Sequence, residues 1–490
     1  MGGSAVEDRG PRAAPSPGRI SYKWVALSNT TIGTLMSSLD SNIVIIALPT
    51  IGRELPGTSI LGLLWILLGY SLVTSVVLLS FGRLSDQFGR TRLYTLGFAV
   101  FTVGSLFCGL SQNGPELIGF RMVQAIGAGF IFSNSAAILT DAFPANERGK
   151  ALGINQISIV VGSVSGLVIG GLLTGAVGWR WIFFVNVPIG ILATLWAHFR
   201  LRELASLDPV QRIDWAGNVT FASGLTLILV GVTFGALQVL AAPVDVGLGV
   251  TGIGLLGVFA YVESRIPHPM FELALFRIRA FSSSGIAMFL NALARGAFSF
   301  VLVFYLQGPP HFLDPLTAGL FLIPVSASLA ALGPLSGALS DRWGSRGLAV
   351  LGLLASSAGF LLLSEVSAAA SFWSLLPAFL LVGSGMGLFA SPNRATMMNA
   401  VPPQRRGVAA GTGTTLVNAG VTLSLGFAVL AMSRAMSLPG LEGIFLGTGG
   451  LSSLPVGPFL NSVHLVFALS AGLLLVAVVP AALRPSKDRA

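Results

Sequence analysis

Apolar runs long enough to cross a bilayer, broken by short polar stretches, recur along almost the whole chain. They fall at about 24–51, 59–81, 93–111, 114–141, 150–177 and 181–199, and after a charged break at about 214–236 and 246–263. A second long series occupies about 281–307, 315–339, 347–366, 371–399, 407–433 and 459–483. About 20 apolar residues suffice for a spanning helix, so the pattern predicts about fourteen of them. The polar breaks are asymmetric. Of the 28 lysines and arginines, only Arg53, Arg180 and Arg434 fall on the side opposite the N-terminus, and only Arg121, Arg295 and Arg394 fall within runs. The remainder cluster on one side, and the positive-inside rule then predicts that both termini are cytoplasmic.

Composition agrees with this reading. Of 490 residues 53% are hydrophobic and only 10% charged, against about 25% charged in soluble chains. The 61 glycines suit close helix approach in lipid. The net charge of +9 sits in short loops, so topology explains it and no nucleic-acid partner is expected. Cys108 is the single cysteine, which excludes a disulfide framework or a cysteine metal cluster. No G-x-x-x-x-G-K-[ST] motif supports ATP-driven chemistry, and no nucleophile–base pair or metal-ligand cluster suggests an enzyme. Residues 1–22, rich in Pro, Gly, Ser and Arg, read as a disordered cytoplasmic tail.

Within the first run sits Asp40. Insertion scales put a central Asp at roughly +2.5 to +3.5 kcal/mol, so it should face a protein interior or a water-filled cavity. It marks either a functional acid or a salt bridge that pins a neighbouring helix. The chain also repeats itself at a spacing near 255 residues. Gly82-Arg83-Leu84-Ser85-Asp86-Gln87-Phe88-Gly89-Arg90 is echoed by Gly337-Ala338-Leu339-Ser340-Asp341-Arg342-Trp343-Gly344-Ser345, and Phe143-Pro144 by Val401-Pro402. Two six-helix bundles are implied, 23–200 and 281–483, with a linker at 201–280 carrying two extra helices and a short cytoplasmic tail at 484–490. Such repeats place a binding site at their interface.

The loop Gly82-x-Leu84-x-Asp86-x-x-Gly89-Arg90-x-Arg92 resembles the loop signature of the major facilitator superfamily, and the fourteen runs resemble its drug:proton antiporter family. The resemblance covers nearly the whole chain after the tail. It implies the major facilitator fold and a cytoplasmic gate formed by Gly82, Asp86, Gly89, Arg90, Asp141 and, from the repeat, Asp341. The loop's own chemistry allows Arg90 to pair with Asp141 and Asp86 to face a helix N-terminus. Gly153, Gly162, Gly166, Gly170 and Gly171 resemble the antiporter motif of the fifth helix, with Leu167 where that pattern has proline. Arg121 lies in Arg121-Met122-Val123-Gln124-Ala125-Ile126-Gly127, similar to the family's buried-arginine motif, which implies a role in proton coupling with Asp40. The depths of the two, roughly 10 and 16 Å below the outer helix ends, bring the arginine within reach of the carboxylate.

The repeat relates Asp40 to Arg295. Arg295 reads as an anchor for an anionic or zwitterionic group, a switchable partner for Asp40, or a fixed structural cation. Asn42, Asn291, Tyr70, Gln156 and Tyr305 are candidate cavity residues, with Asn134, Asn393, Asn418, Trp65, Gln307 and His464 as weaker signals. The resemblance implies a proton-coupled exporter of lipophilic small molecules, multi-pass in the cell membrane and driven by the proton gradient without a cofactor or metal; a monomer is expected. An importer, facilitator or lipid flippase for anionic or zwitterionic amphiphiles is the alternative on the same fold.

Overall fold

The computed structural model describes residues 21–144, 147–204, 214–266, 269, 271–309, 311–402, 405–447 and 455–484. Both terminal tails thus lie largely outside the described residues. The chain opens with α1 (Tyr22–Glu54), α2 (Ile60–Phe88), α3 (Arg90–Leu110), α4 (Gly114–Ala142) and α5 (Arg148–Ala176). A short α6 (Trp181–Phe184) runs into α7 (Asn186–Arg200) and completes the first bundle. Next comes a hairpin of α8 (Trp215–Ala236) and α9 (Ala242–Arg265). The second bundle comprises α10 (Arg279–Arg295), α11 (Phe298–Gln307), α12 (Pro315–Phe321), α13 (Ile323–Trp343) and α14 (Ser345–Leu363). It continues with α15 (Phe372–Asn399), α16 (Arg406–Ala435), the short α17 (Leu438–Leu446) and α18 (Val456–Ala482). Among the described residues, 14 helical spans are long and apolar enough to cross a membrane.

Three of those spans are interrupted, which hydropathy does not reveal. The pairs α6–α7, α10–α11 and α12–α13 are each one span broken by a turn. The break at Gly296-Ala297 has a visible cause. A Cβ on Gly296 would lie 2.7 Å from Val421 Cα, so α16 presses on the chain there. The freed Ala297 N–H donates to Ser424 Oγ at 2.9 Å. Irregular backbone at membrane depth persists only when protein groups satisfy it in this way.

The sequence repeat has a structural counterpart in two turns. Gly89 joins α2 to α3 with φ +104°, and Gly344 joins α13 to α14 with φ +84°. Each N–H closes the preceding helix onto a serine carbonyl four residues back, Ser85 at 2.9 Å and Ser340 at 3.0 Å. Positive φ excludes most side chains, so glycine fixes both corners. We call the end of the molecule that carries these turns the loop face.

The hairpin α8–α9 lies against α2 and α16, one helix from each bundle. Reciprocal glycines hold it together, Gly252 against the Gly224 carbonyl and Gly224 against the Gly252 carbonyl. At the far face the bundles meet directly. Gly171 abuts the Pro315 backbone, a Cβ on Gly319 would lie 2.6 Å from the Leu167 carbonyl, and Gln307 Nε2 donates to the Ile46 carbonyl at 2.8 Å. Nearer the loop face, Gly153 of α5 meets nothing within 4 Å, and Arg394 Nη1 reaches across to Gln156 Oε1 at 3.2 Å. Between these levels a central cavity of about 330 Å³ separates the bundles.

Gly344→Val should lower unfolding free energy by about 1–3 kcal/mol, because it forces a β-branched residue into positive φ. Gly347→Val, one turn on in open space, should change it far less. Chemical unfolding in detergent micelles measures both.

Candidate functional site

Asp40 and Arg121 are buried to 0% and 1% exposure. Arg121 Nη1 donates to Asp40 Oδ2 at 2.6 Å and to Gln124 Oε1 at 2.5 Å. Asp40 Oδ1 accepts two amide donors, Gln124 Nε2 at 2.9 Å and Asn186 Nδ2 at 2.8 Å. Gln124 Nε2 also donates to Ser105 Oγ at 2.7 Å. The guanidinium stacks over Tyr70, 4.1 Å from the ring centroid. Five helices, α1, α2, α3, α4 and α7, thus contribute polar or aromatic groups to one carboxylate–guanidinium pair.

Local sequence explains how they reach it. Arg121 and Gln124 are three residues apart on α4 and share a helix face. Asn186 sits at the start of α7, where the α6–α7 break turns its amide inward. Small residues bring α5 onto α1 around the same level. A Cβ on Gly162 would lie 2.5 Å from the Leu35 carbonyl, one on Gly166 2.5 Å from the Leu39 carbonyl, and one on Gly170 2.6 Å from Ile46 Cγ2. Gly171 faces the second bundle instead, while Gly153 packs on nothing, so the five motif glycines do not form one continuous seam.

The pair has a specific chemical character. A carboxylate offers about four acceptor sites. Both on Oδ1 are filled by amides and one on Oδ2 by Arg121. A proton therefore finds room on Oδ2 beside Arg121, or elsewhere only if a donor leaves. Arg121 and Tyr70 line the cavity whereas Asp40 is sealed behind them.

Across the cavity stands Arg295, at the break between α10 and α11. Its Nε donates to Asn291 Oδ1 at 3.2 Å, on the same helix, and no carboxylate pairs with it among the described residues. It does not act as a partner of Asp40 here, because the Asp40 oxygens are held by Arg121, Gln124 and Asn186. Asn42 and Tyr70 line the cavity.

Three candidate cavity residues lie elsewhere. Tyr305 is 1% exposed and donates to the Ser367 carbonyl at 2.8 Å, with His311 at 2.9 Å, because α11 turns it away from the centre. Asn291 sits behind Arg295, and Gln156 lies at the loop-face mouth under Arg394. Of the weaker candidates, Gln307 seals the far face and His464 bonds the Val366 carbonyl at 2.6 Å.

At the loop face, Arg90 bridges Asp86 at 2.8 Å and Asp141 at 2.7 Å. The carboxylate on the N-terminus of α3 is Glu203, which accepts from Thr91 N and Oγ1, both at 2.9 Å; Asp86 instead pairs with Arg90. Arg90, Asp86 and Asp141 all belong to the first bundle, so Arg90 makes no latch between bundles in this arrangement. Arg83 of the same loop donates to the Pro269 carbonyl at 2.7 Å and ties it to the linker. Gly82 meets nothing within 4 Å, and the Asp341 side chain lies outside the described residues. Among the described residues no cluster suited to a metal occurs.

Gln124, Asn186, Ser105 and Glu203 were not singled out as site residues from sequence. The signal for Gln124 and Asn186 was present in part, since each is an amide within an apolar span, but the break that turns Asn186 inward shows only in the structure.

Comparisons with known proteins agree with this architecture. The family model described as Major Facilitator Superfamily matches residues 30–425 and 285–490. The riboflavin transporter RibZ of Clostridioides difficile is 33% identical over 421 residues, 85% of this chain and 89% of that protein. The tetracenomycin C resistance and export protein of Streptomyces glaucescens is 29% identical over 435 residues, 88% of this chain and 79% of that protein. Among solved structures, an inward-facing, unoccupied bacterial homologue of the human lysosomal transporter Spinster superimposes with a TM-score of 0.68 at 17% identity. That match covers 95% of this chain and 98% of the other.

Arg121→Ala should destabilise the fold by about 3–5 kcal/mol, since it leaves Asp40 buried without its cation. Asp40→Asn in the same background should recover part of that loss. A double-mutant cycle read by chemical unfolding in bicelles tests the coupling; additive losses would show that the pair carries no mutual stabilisation.

Proposed function

The chain belongs to the major facilitator superfamily, and from that premise we propose that it is a proton-coupled transporter exporting lipophilic small molecules by alternating access. The observation that carries the reading is the sealed Asp40–Arg121 pair on the wall of a cavity between two repeat-related bundles. A membrane-buried carboxylate with a cation that can leave it is the minimal device for carrying a proton.

In the proposed cycle the loop face is cytoplasmic, as are both termini, and the protein works as a monomer in the cell membrane. Substrate enters from the cytoplasmic side, opposite the contacts that close the far face. When the bundles rock outward, Arg121 swings away from Oδ2, water reaches Asp40, and a proton from outside occupies the oxygen. Substrate leaves to the outside. The return brings Arg121 back onto Oδ2, and the proton passes to the cytoplasm. Each inward positive charge gains about 2.3 kcal/mol per 100 mV of membrane potential.

Export is favoured by the tight Gly162, Gly166 and Gly170 seam of α5 on α1, the part of the antiporter motif that packs here. The name of the Streptomyces relative points the same way. Arg295, a cavity cation without a carboxylate, favours a second reading, an importer, facilitator or lipid flippase for anionic or zwitterionic amphiphiles. The riboflavin transporter among the relatives keeps direction open to test.

The experiment is substrate-driven proton movement in proteoliposomes, with wild type and Asp40→Asn compared over a panel of dyes, antibiotics and lysolipids. Wild type should couple flux of at least one compound to protons, and Asp40→Asn should lose the coupling while substrate counterflow persists. Proton movement surviving in Asp40→Asn would sink the carrier role of Asp40. Accumulation against the proton-driven export direction would establish the second reading.

A further inference from the structure

We infer that the central cavity is built for one negative charge, so that its ligand is a monoanionic or zwitterionic amphiphile whose anionic group docks on Arg295. The inference rests on the transporter reading only in taking the cavity as a ligand site, and it holds for either direction of transport.

Charge accounting over the cavity leads there. Asp40 is fully buried and matched by Arg121, so that pair offers no free carboxylate to an incoming cation. Arg295 lines the same cavity with its Nη1 and Nη2 bonded to no protein acceptor among the described residues. Arg394, nearer the loop face and outside the cavity lining, donates to the neutral Gln156. Within the cavity Arg295 is thus, among the described residues, the cation that no carboxylate matches. Cations at membrane depth are costly unless they find an anion, and for Arg295 the described residues supply only the amide oxygen of Asn291.

Independent features of the wall fit an anion at the same point. Behind the wall, Asn291, 6% exposed, commits its Oδ1 to Arg295 Nε and so fixes the direction of the guanidinium. The α10–α11 break puts Phe298 and Ser299, in the first turn of α11, on the cavity wall beside Arg295. Ser299, Ser326 and Thr422 supply neutral hydroxyls. Phe298, Leu322, Val325 and Met386 form an apolar wall for the rest of the molecule. The volume, about 330 Å³, lies at the small end of the ~300–1,000 Å³ of ligand pockets. One guanidinium compensates one charge; a dianion would leave its second charge uncompensated in a largely apolar site.

A matched pair of fluorescent probes tests this. Anilinonaphthalene sulfonate is a monoanion, and N-phenylnaphthylamine carries the same rings without the sulfonate. Binding to the full-length protein in nanodiscs, with empty nanodiscs subtracted, gives the affinity ratio of the two. Wild type should favour the sulfonate by about tenfold or more, the scale of a hydrogen-bonded charged contact. Arg295→Gln should bring the ratio near one by weakening the sulfonate alone, and Arg295→Lys should retain part of the preference. Ser326→Glu keeps Arg295 but adds a carboxylate to the same cavity, and it should erase the preference too; it stands in if Arg295→Gln fails to fold. Equal binding of the two probes by wild type overturns the inference, as does a ratio unmoved by both Arg295→Gln and Ser326→Glu. The ratio is an equilibrium quantity and needs no proton gradient. An Arg295-dependent ratio without proton-coupled flux would keep the anion site and remove the exporter reading. Coupled flux with a ratio of one would do the opposite.

Discussion

A charge pair buried at membrane depth constrains the first bundle more than any other interaction. Neither Asp40 nor Arg121 is tolerable there alone, and together they still draw further polar partners around them, although Arg121 Nε is left without one. Gln124 answers both, accepting from the arginine and donating to the aspartate. Asn186 fills the second site on Oδ1 and Tyr70 covers the guanidinium face. The α6–α7 break, the i,i+3 placement on α4 and the glycine seam of α5 on α1 all serve this one geometry. Loss of any of them exposes or orphans a charge, which is why packing and chemistry cannot be separated in this bundle.

The repeat makes the second bundle a variation on the same frame with the opposite charge. Residues near 255 apart turn the same corners at Gly89 and Gly344, yet the position of Asp40 is taken by Arg295. The first bundle encloses its charge and matches it. By contrast, the second breaks its helix at the equivalent depth and leaves the cation on the cavity wall. An internally duplicated scaffold in this way separates its charges: one half seals an acid behind its arginine, and the other places a cation on the cavity wall.

How much of this was legible in the sequence depended on the reach of the signal. Fourteen spans follow from run length, because the bilayer sets that length. Asp40 and Arg121 stood out because a charge in an apolar run is expensive wherever it falls, and depth along a helix can be counted. Sequence could not say that Tyr305 turns toward Ser367 or that Gln307 seals the far face, because which side of a buried helix faces the cavity depends on its rotation against several neighbours. Nor did hydropathy reveal the break after Arg295, since Gly296 and Ala297 are as apolar as a continuous helix requires. Glu203 escaped notice for another reason: its partner, the N-terminus of α3, lies more than a hundred residues away.

The separation of Asp40 from the cavity has a consequence for coupling. The cavity is lined by Arg121 and Tyr70, not by the acid behind them. In the proposed cycle proton and substrate cannot compete for one carboxylate, so their exchange must pass through Arg121. An arginine that leaves Oδ2 needs another acceptor within the cavity, and an anionic ligand held by Arg295 would supply one. A cationic ligand would repel Arg121 and hold it against Asp40. The charge of the ligand would thus decide whether Asp40 becomes accessible to a proton at all, and selectivity and coupling would have the same physical origin.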